Sequence, residues 1–170
     1  MKERVLLTAL RDDDLEVLFQ WVNDPALVRF SASYKPVHWK NHVEWFDSLE
    51  EKDTTIIFGI RPIGDKKLIG FCKLVNMHRV CRSAEMQIKI GDRAYLSQGY
   101  GSEALGLLLR FAWDDLNLHR VYCYVFADNE RAIKLYEKFG FLREGVMREA
   151  AFIDGEYKDI IIMGILRDGS

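Results

Sequence analysis

The chain is poor in cysteine and proline, with three of each in 170 residues. Cys72, Cys81 and Cys123 are odd in number and show no CxxC spacing, which argues against a disulfide framework or a zinc ribbon. All three lie in apolar stretches, so buried, reduced thiols are expected, with no metal ion and no cysteine nucleophile. Long hydrophobic runs are also missing. The apolar part of "MKERVLLTALRDDDLEV" is too short for a signal peptide, and no segment has the apolar length of a membrane span. A cytoplasmic protein with no membrane partner is expected. Neither charge dominates: 24 Lys and Arg stand against 26 Asp and Glu, a net −2, so no global basic field draws nucleic acid. No linker, repeat or low-complexity tract divides the chain, and a single domain over 1–170 is expected.

What is present is strongly patterned. "RVLLTAL" reads as an opening strand. "DDDLEVLFQWVND" reads as a helix with Leu15, Leu18, Phe19 and Val22 on one face, aspartates in its first turn and Pro25 at its end. "HWKNHVEWFDSLEEK" repeats Trp39, Val43, Phe46 and Leu49 at helical spacing. Two β-rich runs then flank the turn signal "IGDKK", and "AEMQIKIG" alternates as a further strand. Helix 99–115, the strand "HRVYCYVFA", helix 130–139 and two β-rich runs around "IDGEY" complete the order. Alternating helices and strands after a meander predict a mixed α/β fold with helices on both faces of one central sheet.

The segment "YLSQGYGSEALGLLLRFAWDDL" places Gly99 and Gly101 at the mouth of a helix. The first N–H groups of a helix lack intrahelical partners and lie at the positive end of its dipole. Glycines there let the backbone take φ > 0 or come close to an anion such as a diphosphate. The segment is not a Walker A loop, because no GK[ST] follows, and it lacks the third glycine of a dinucleotide fingerprint. A tight entry into a buried helix explains the glycines equally well, since Ala104, Leu105, Leu108, Phe111 and Ala112 form a core face. Some thirty residues on stands "NERAIKLYEKFGF". Here Asn129 is placed to cap a helix, Ala132, Leu135, Tyr136 and Phe139 share a stripe, and Gly140 fits the C′ position.

Together, in this order and spacing, the two segments resemble the GNAT superfamily of acetyl-CoA-dependent N-acetyltransferases. The likeness extends from "LRDDDLEVLFQWVND" to "EGVMREAAFIDGEYKDIIIMGIL". Within the superfamily it is most similar to the group of ribosomal-protein N-terminal acetyltransferases (RimJ/RimL-like) and nucleotide-amino-sugar acetyltransferases. The resemblance implies a three-layer α-β-α fold around a mostly antiparallel sheet with a splayed central strand pair. It also implies acetyl-CoA as donor and CoA as product. The pyrophosphate loop of the family falls on Leu96, Ser97, Gln98, Gly99, Tyr100 and Gly101, followed by Ser102. Leu96 replaces the usual Gln or Arg and removes a side-chain contact. Ile88, Lys89 and Ile90 would offer a free strand edge to pantetheine. Asn129, with Ala132 in the turn it opens, resembles the residue that bonds the pantetheine arm, and Tyr136 the phenol beside the sulfur.

Amine acetylation needs a neutral amine, a polarised thioester carbonyl and a proton for the departing thiolate. Tyr136 is expected as that acid. Glu85 resembles in position the base of some members, with a surface or strand-end glutamate, an electrostatic anchor for the substrate ammonium, and a water relay as base as the alternatives. On the acceptor side, "FQWVNDPALVRF" and "KPVHWKNHVEWF" supply Trp21, Asn23 and Trp45, and the late hairpin supplies Tyr157. Core packing is the competing reading for the tryptophans. The W-x-N-D and HxxWF elements resemble the amino-sugar branch, so a small amine such as an amino sugar nucleotide is the expected acceptor. A protein N-terminus, a polyamine and a non-catalytic CoA-binding module remain alternatives. A homodimer is compatible with the sequence.

Overall fold

The computed structural model describes residues 3–29 and 35–167. Phe30, the last residue of the acceptor-side segment 19–30, lies outside them. Seven strands form one sheet in the order β1-β2-β3-β4-β5-β7-β6. They are β1 (Val5–Thr8), β2 (Ile56–Pro62), β3 (Gly70–His78), β4 (Ser83–Ile90), β5 (Arg120–Phe126), β6 (Leu142–Ile153) and β7 (Glu156–Leu166). All neighbours pair antiparallel except β4 and β5, which run parallel.

Helices cover both faces, as the three-layer α/β expectation requires. On one face, α4 (Tyr100–Asp114) and α5 (Glu130–Lys138) bury Ala104, Leu105, Leu108, Ile133 and Tyr136 against Leu74, Met86, Val121 and Cys123 of the sheet. On the other, α1 (Leu15–Asn23) places Leu18 and Trp21 against Leu68, with Trp45 and Phe46 of α3 (Trp39–Asp47) and Phe71 alongside. The period of two along β4 and β5 divides these faces: Ala84 and Met86, like Val121, Cys123 and Val125, enter the α4–α5 core, while Glu85 and Tyr122 turn away from it.

Several local expectations are corrected. The aspartates at 12–14 form a separate 3-10 turn before α1, and Asp14 is buried. Its Oδ2 accepts from Arg61 Nη2 at 2.5 Å and from Arg11 N at 2.8 Å, which keeps the buried charge paired. Pro25 opens a short helix, α2 (Pro25–Val28), under an Asp24 cap. A residue without an N–H suits that first position. In α3 the inward stripe passes through His42, whose Nε2 donates to Leu15 O at 2.9 Å, and Trp39 is left 47% exposed.

Cys72 and Cys123 are buried, and burial pushes both thiols up to about 12. Cys81 is exposed, because it sits in the turn between β3 and β4. A thiol reagent at pH 8 should label Cys81 alone in the native protein, with Cys72 and Cys123 reacting only on unfolding; peptide mapping of the adduct checks this.

Candidate active site

The parallel pair β4–β5 is joined only at its start. Its register runs Ser83↔Arg120, Ala84↔Val121 and Glu85↔Tyr122 and then stops. β4 continues against β3 to Ile90↔Gly70, and β5 continues against β7 to Phe126↔Ile160. The two strands therefore open into a V with Glu85 at the apex, and among the described residues the β5-facing edge of β4 through Ile88, Lys89 and Ile90 has no strand partner. An edge of this kind can pair with an extended amide chain.

The open end of the V leads into the glycine loop. After a 3-10 turn (Arg93–Tyr95), Leu96 is extended, Ser97 has φ 61° and Gly99 has φ 88° as the N-cap of α4. Gly99 is thus needed for its left-handed backbone. Gly101 is different, since a Cβ there would meet only Ile90 Cγ1 at an ordinary 3.5 Å. The protein's own packing permits a side chain at this position, in the first turn where unpaired N–H groups point outward. The cradle also has cations that the sequence did not reveal. Arg4 Nη2 donates to Gln98 O at 3.1 Å, Arg4 N donates to Glu103 Oε2 at 3.0 Å, and the guanidinium lies 4.8 Å from the Tyr100 ring centroid. Lys138 Nζ is 3.4 Å from Ser102 Oγ. The positive end of a 15-residue helix thus lies beside Lys138 and an Arg4 whose guanidinium is ion-paired with Glu103, an arrangement suited to an anion.

Below the V, Asn129 caps α5, its Oδ1 accepting from Ala132 N at 3.2 Å. One stripe of α5 then carries Tyr136 into the core, where it is 7% exposed and 5.6 Å from the Phe141 ring centroid. Burial, and then the Cys123 thiol nearby, raise the phenol well above the ordinary tyrosine range. It stays protonated at neutral pH.

Above the V the chemistry is polar. Glu85 is 9% exposed, and both of its oxygens accept amide hydrogens: Oε2 from Asn76 Nδ2 at 2.9 Å and Oε1 from Gln87 Nε2 at 2.8 Å. Lys73 pairs with Gln87 across β3 and β4, and so shares this face. Burial lowers its ammonium pKa, with the charge of Glu85 opposing that effect. Lys89 Nζ donates to Leu27 O at 3.0 Å, and burial lowers it as well. Tyr122 and Tyr124 stand 5.9 Å apart on β5. Because Tyr122 and Cys123 are consecutive on β5, the carboxylate and the Tyr136 phenol lie on opposite faces of the sheet at nearly the same register.

The other acceptor-side residues make contacts within the fold. The Trp21 ring covers Gly91, where a Cβ would come within 2.2 Å of the indole. Asn23 clamps the chain, with Nδ2 donating to Val37 O at 3.0 Å and Oδ1 accepting from Val37 N at 2.9 Å. Trp45 stacks on His42 at 5.3 Å. Tyr157 lies on β7, exposed, with its ring 4.9 Å from Phe152. Sequence reasoning missed Arg4, Lys73, Asn76, Gln87 and Lys138, whose placement depends on strand pairing or on the packing of separate elements. The alternation of "AEMQIKI" could have pointed to Gln87 beside Glu85.

Among the described residues no group of His, Cys, Asp or Glu is arranged to hold a metal, and no helix is long and apolar enough to cross a membrane. An open parallel strand pair that leads into a glycine-capped helix suits an extended ligand that carries amides along its length and an anion at its end. The chain belongs to the GNAT family: the Acetyltransferase (GNAT) domain matches residues 4–142. It is similar to the spermidine N(1)-acetyltransferase of Vibrio cholerae, 30% identical over 98% of this chain and 95% of that protein. The crystal structure of a Vibrio cholerae spermidine N-acetyltransferase in complex with CoA and spermine superposes with a TM-score of 0.91, at 28% identity, over 97% of this chain and 96% of that one. A dodecameric structure of the Vibrio cholerae enzyme in an intermediate state matches with a TM-score of 0.84 at 29% identity, over 97% and 95% of the two chains. The protein is an acetyl-CoA-dependent N-acetyltransferase. These relatives are polyamine enzymes, so the narrower likeness to the ribosomal-protein and amino-sugar group is replaced.

Proposed function

We propose that the acceptor is an aliphatic polyamine of the spermidine class, presented to the thioester at Glu85. The observation that carries this reading is the Glu85 carboxylate, buried at the apex of the V with both oxygens held by amide donors. A carboxylate so placed attracts a primary ammonium and accepts its proton. The neutral nitrogen then attacks the carbonyl carbon, a backbone N–H of the 88–90 edge stabilises the developing oxyanion, the C–S bond breaks, the thiolate takes a proton from Tyr136, and the second proton shed by the acylated nitrogen returns through solvent to the phenolate. The spermidine enzymes to which the chain is similar support the reading. Homo-oligomerisation belongs to the same reading, because β6 leaves Leu142, Val146 and Phe152 exposed.

A second reading, an amino sugar nucleotide, is favoured by Lys73 and Lys89 on the same face as Glu85, since an anionic acceptor would use them. A CoA-release assay with spermidine, spermine, amino sugar nucleotides and ribosomal-protein N-terminal peptides separates the two. Fastest turnover with spermidine or spermine supports the first reading. CoA binding with no release from any amine would leave only a binding module. Lys73→Met provides an independent sign: the KM for a polyamine should fall about threefold to tenfold as a repelling charge is removed, whereas the KM for a nucleotide-linked amine should rise.

A further inference from the structure

The β3 strand departs from regular geometry opposite the apex of the V. Its register with β4 is continuous from Gly70↔Ile90 to Val75↔Glu85, and the next pair is His78↔Ser83. Asn76 and Met77 therefore stand opposite the single residue Ala84, which is a β-bulge. Asn76 takes φ 52° there, a left-handed conformation that asparagine tolerates better than other residues with a Cβ. In a regular strand position 76 would follow Leu74 onto the α4 face, beside Ala84 and Met86, and would put an amide in the apolar core. The bulge turns it to the opposite face, where its Nδ2 meets Glu85 Oε2 at 2.9 Å. Met77 packs against the core in its place.

We propose that Asn76 is a positioning residue: the bulge exists to aim its amide at Glu85, and with Gln87 it fixes the carboxylate orientation from which the acceptor amine is engaged. This rests on Glu85 acting at the acceptor amine, but not on that amine being a polyamine. The amides of Asn76 and Gln87 each take one carboxylate oxygen, so rotation about the last side-chain bond would break both contacts. Without Asn76 the carboxylate is held on one side only, and a misplacement of about 1 Å at a reacting group can cost about 100-fold in rate.

Asn76→Gly isolates the side chain, because glycine accepts the positive φ and preserves the bulge. With whichever amine the wild-type enzyme turns over fastest, kcat/KM for the amine should fall about 10-fold to 100-fold, with the acetyl-CoA KM and the melting temperature unchanged. In a Glu85→Gln background the same substitution should have little further effect, as expected of a residue that acts through Glu85. Asn76→Asp, which sets two carboxylates against each other, should lose more at neutral pH, and its deficit relative to the wild type should narrow as the pH falls. Unchanged kcat/KM in Asn76→Gly, or full additivity with Glu85→Gln, overturns the proposal. If an amine other than a polyamine is the one turned over, the polyamine reading fails while Asn76 is still decided on that amine. If no amine is turned over, both fail.

Discussion

Replacing Tyr136 by phenylalanine should lower kcat about 100-fold, the low end of what a positioned general acid contributes, and change the acetyl-CoA KM less than about threefold. The substitution removes one hydroxyl from a ring that is packed beside Phe141 and 7% exposed, so the fold has little reason to change. The lost function is specific, because a thiolate leaving the thioester must otherwise take its proton from water. The expected pH behaviour follows from burial. Desolvation penalises the phenolate, so the folded-state pKa is raised and Tyr136 keeps its proton through the range where an exposed tyrosine would lose it. The wild-type kcat should therefore show no decline attributable to this residue up to about pH 10, the ordinary tyrosine pKa. Steady-state kinetics with a confirmed amine check both points, and an unchanged kcat in the variant removes Tyr136 from the chemistry.

The second large effect is expected at Gly101. Gly101→Asp should weaken acetyl-CoA binding about 100-fold, through a carboxylate placed a few ångström from the diphosphate at low effective dielectric, while the melting temperature holds or rises. The opposite signs make the test sharp. An aspartate in the first turn of α4 interacts favourably with the helix dipole, and a Cβ at this position would meet only Ile90 Cγ1 at 3.5 Å. A purely structural glycine would instead lose stability and binding together. Calorimetric titration with CoA, alongside thermal unfolding of the apo protein, distinguishes the two outcomes. Gly99 does not permit so clean an experiment. Its φ of 88° is required by the backbone, and a Cβ would lie 3.0 Å from Arg4 Nη2, so a substitution there perturbs fold and cradle at once.

Most of the fold was legible because its signals are local. The alternation of "AEMQIKI", the turn at "IGDKK" and the stripe of α4 each lie within one element, and the structure forms those elements within a residue or two of the expected bounds. Local reading failed where tertiary packing selected a different face. Trp39 fits a helical stripe on paper, but the short α3 turns His42 inward to reach the Leu15 carbonyl. For Trp21 and Trp45 the sequence left core packing and ligand contact both open, and the two rings are packed against Gly91 and His42. Cys81 was expected inside because of its apolar neighbours, yet it lies in a turn, where a hydrophobic neighbourhood in sequence does not become one in space.

The sequence by itself determined the donor, through its resemblance to a known family. Two glycines, a capping asparagine and a tyrosine on a helix stripe stand in the order and spacing of that family, all within local segments. Only the tertiary structure decided which side chains surround the donor loop and the acceptor. Arg4 reaches the loop from a residue 95 positions upstream of Gly99, Lys73 joins Glu85 through strand pairing, and Asn76 faces the carboxylate only because β3 carries one extra residue. The physical reason is that a side chain's face is set by the register of its strand. Register is a property of two strands together, and a single extra residue reverses it.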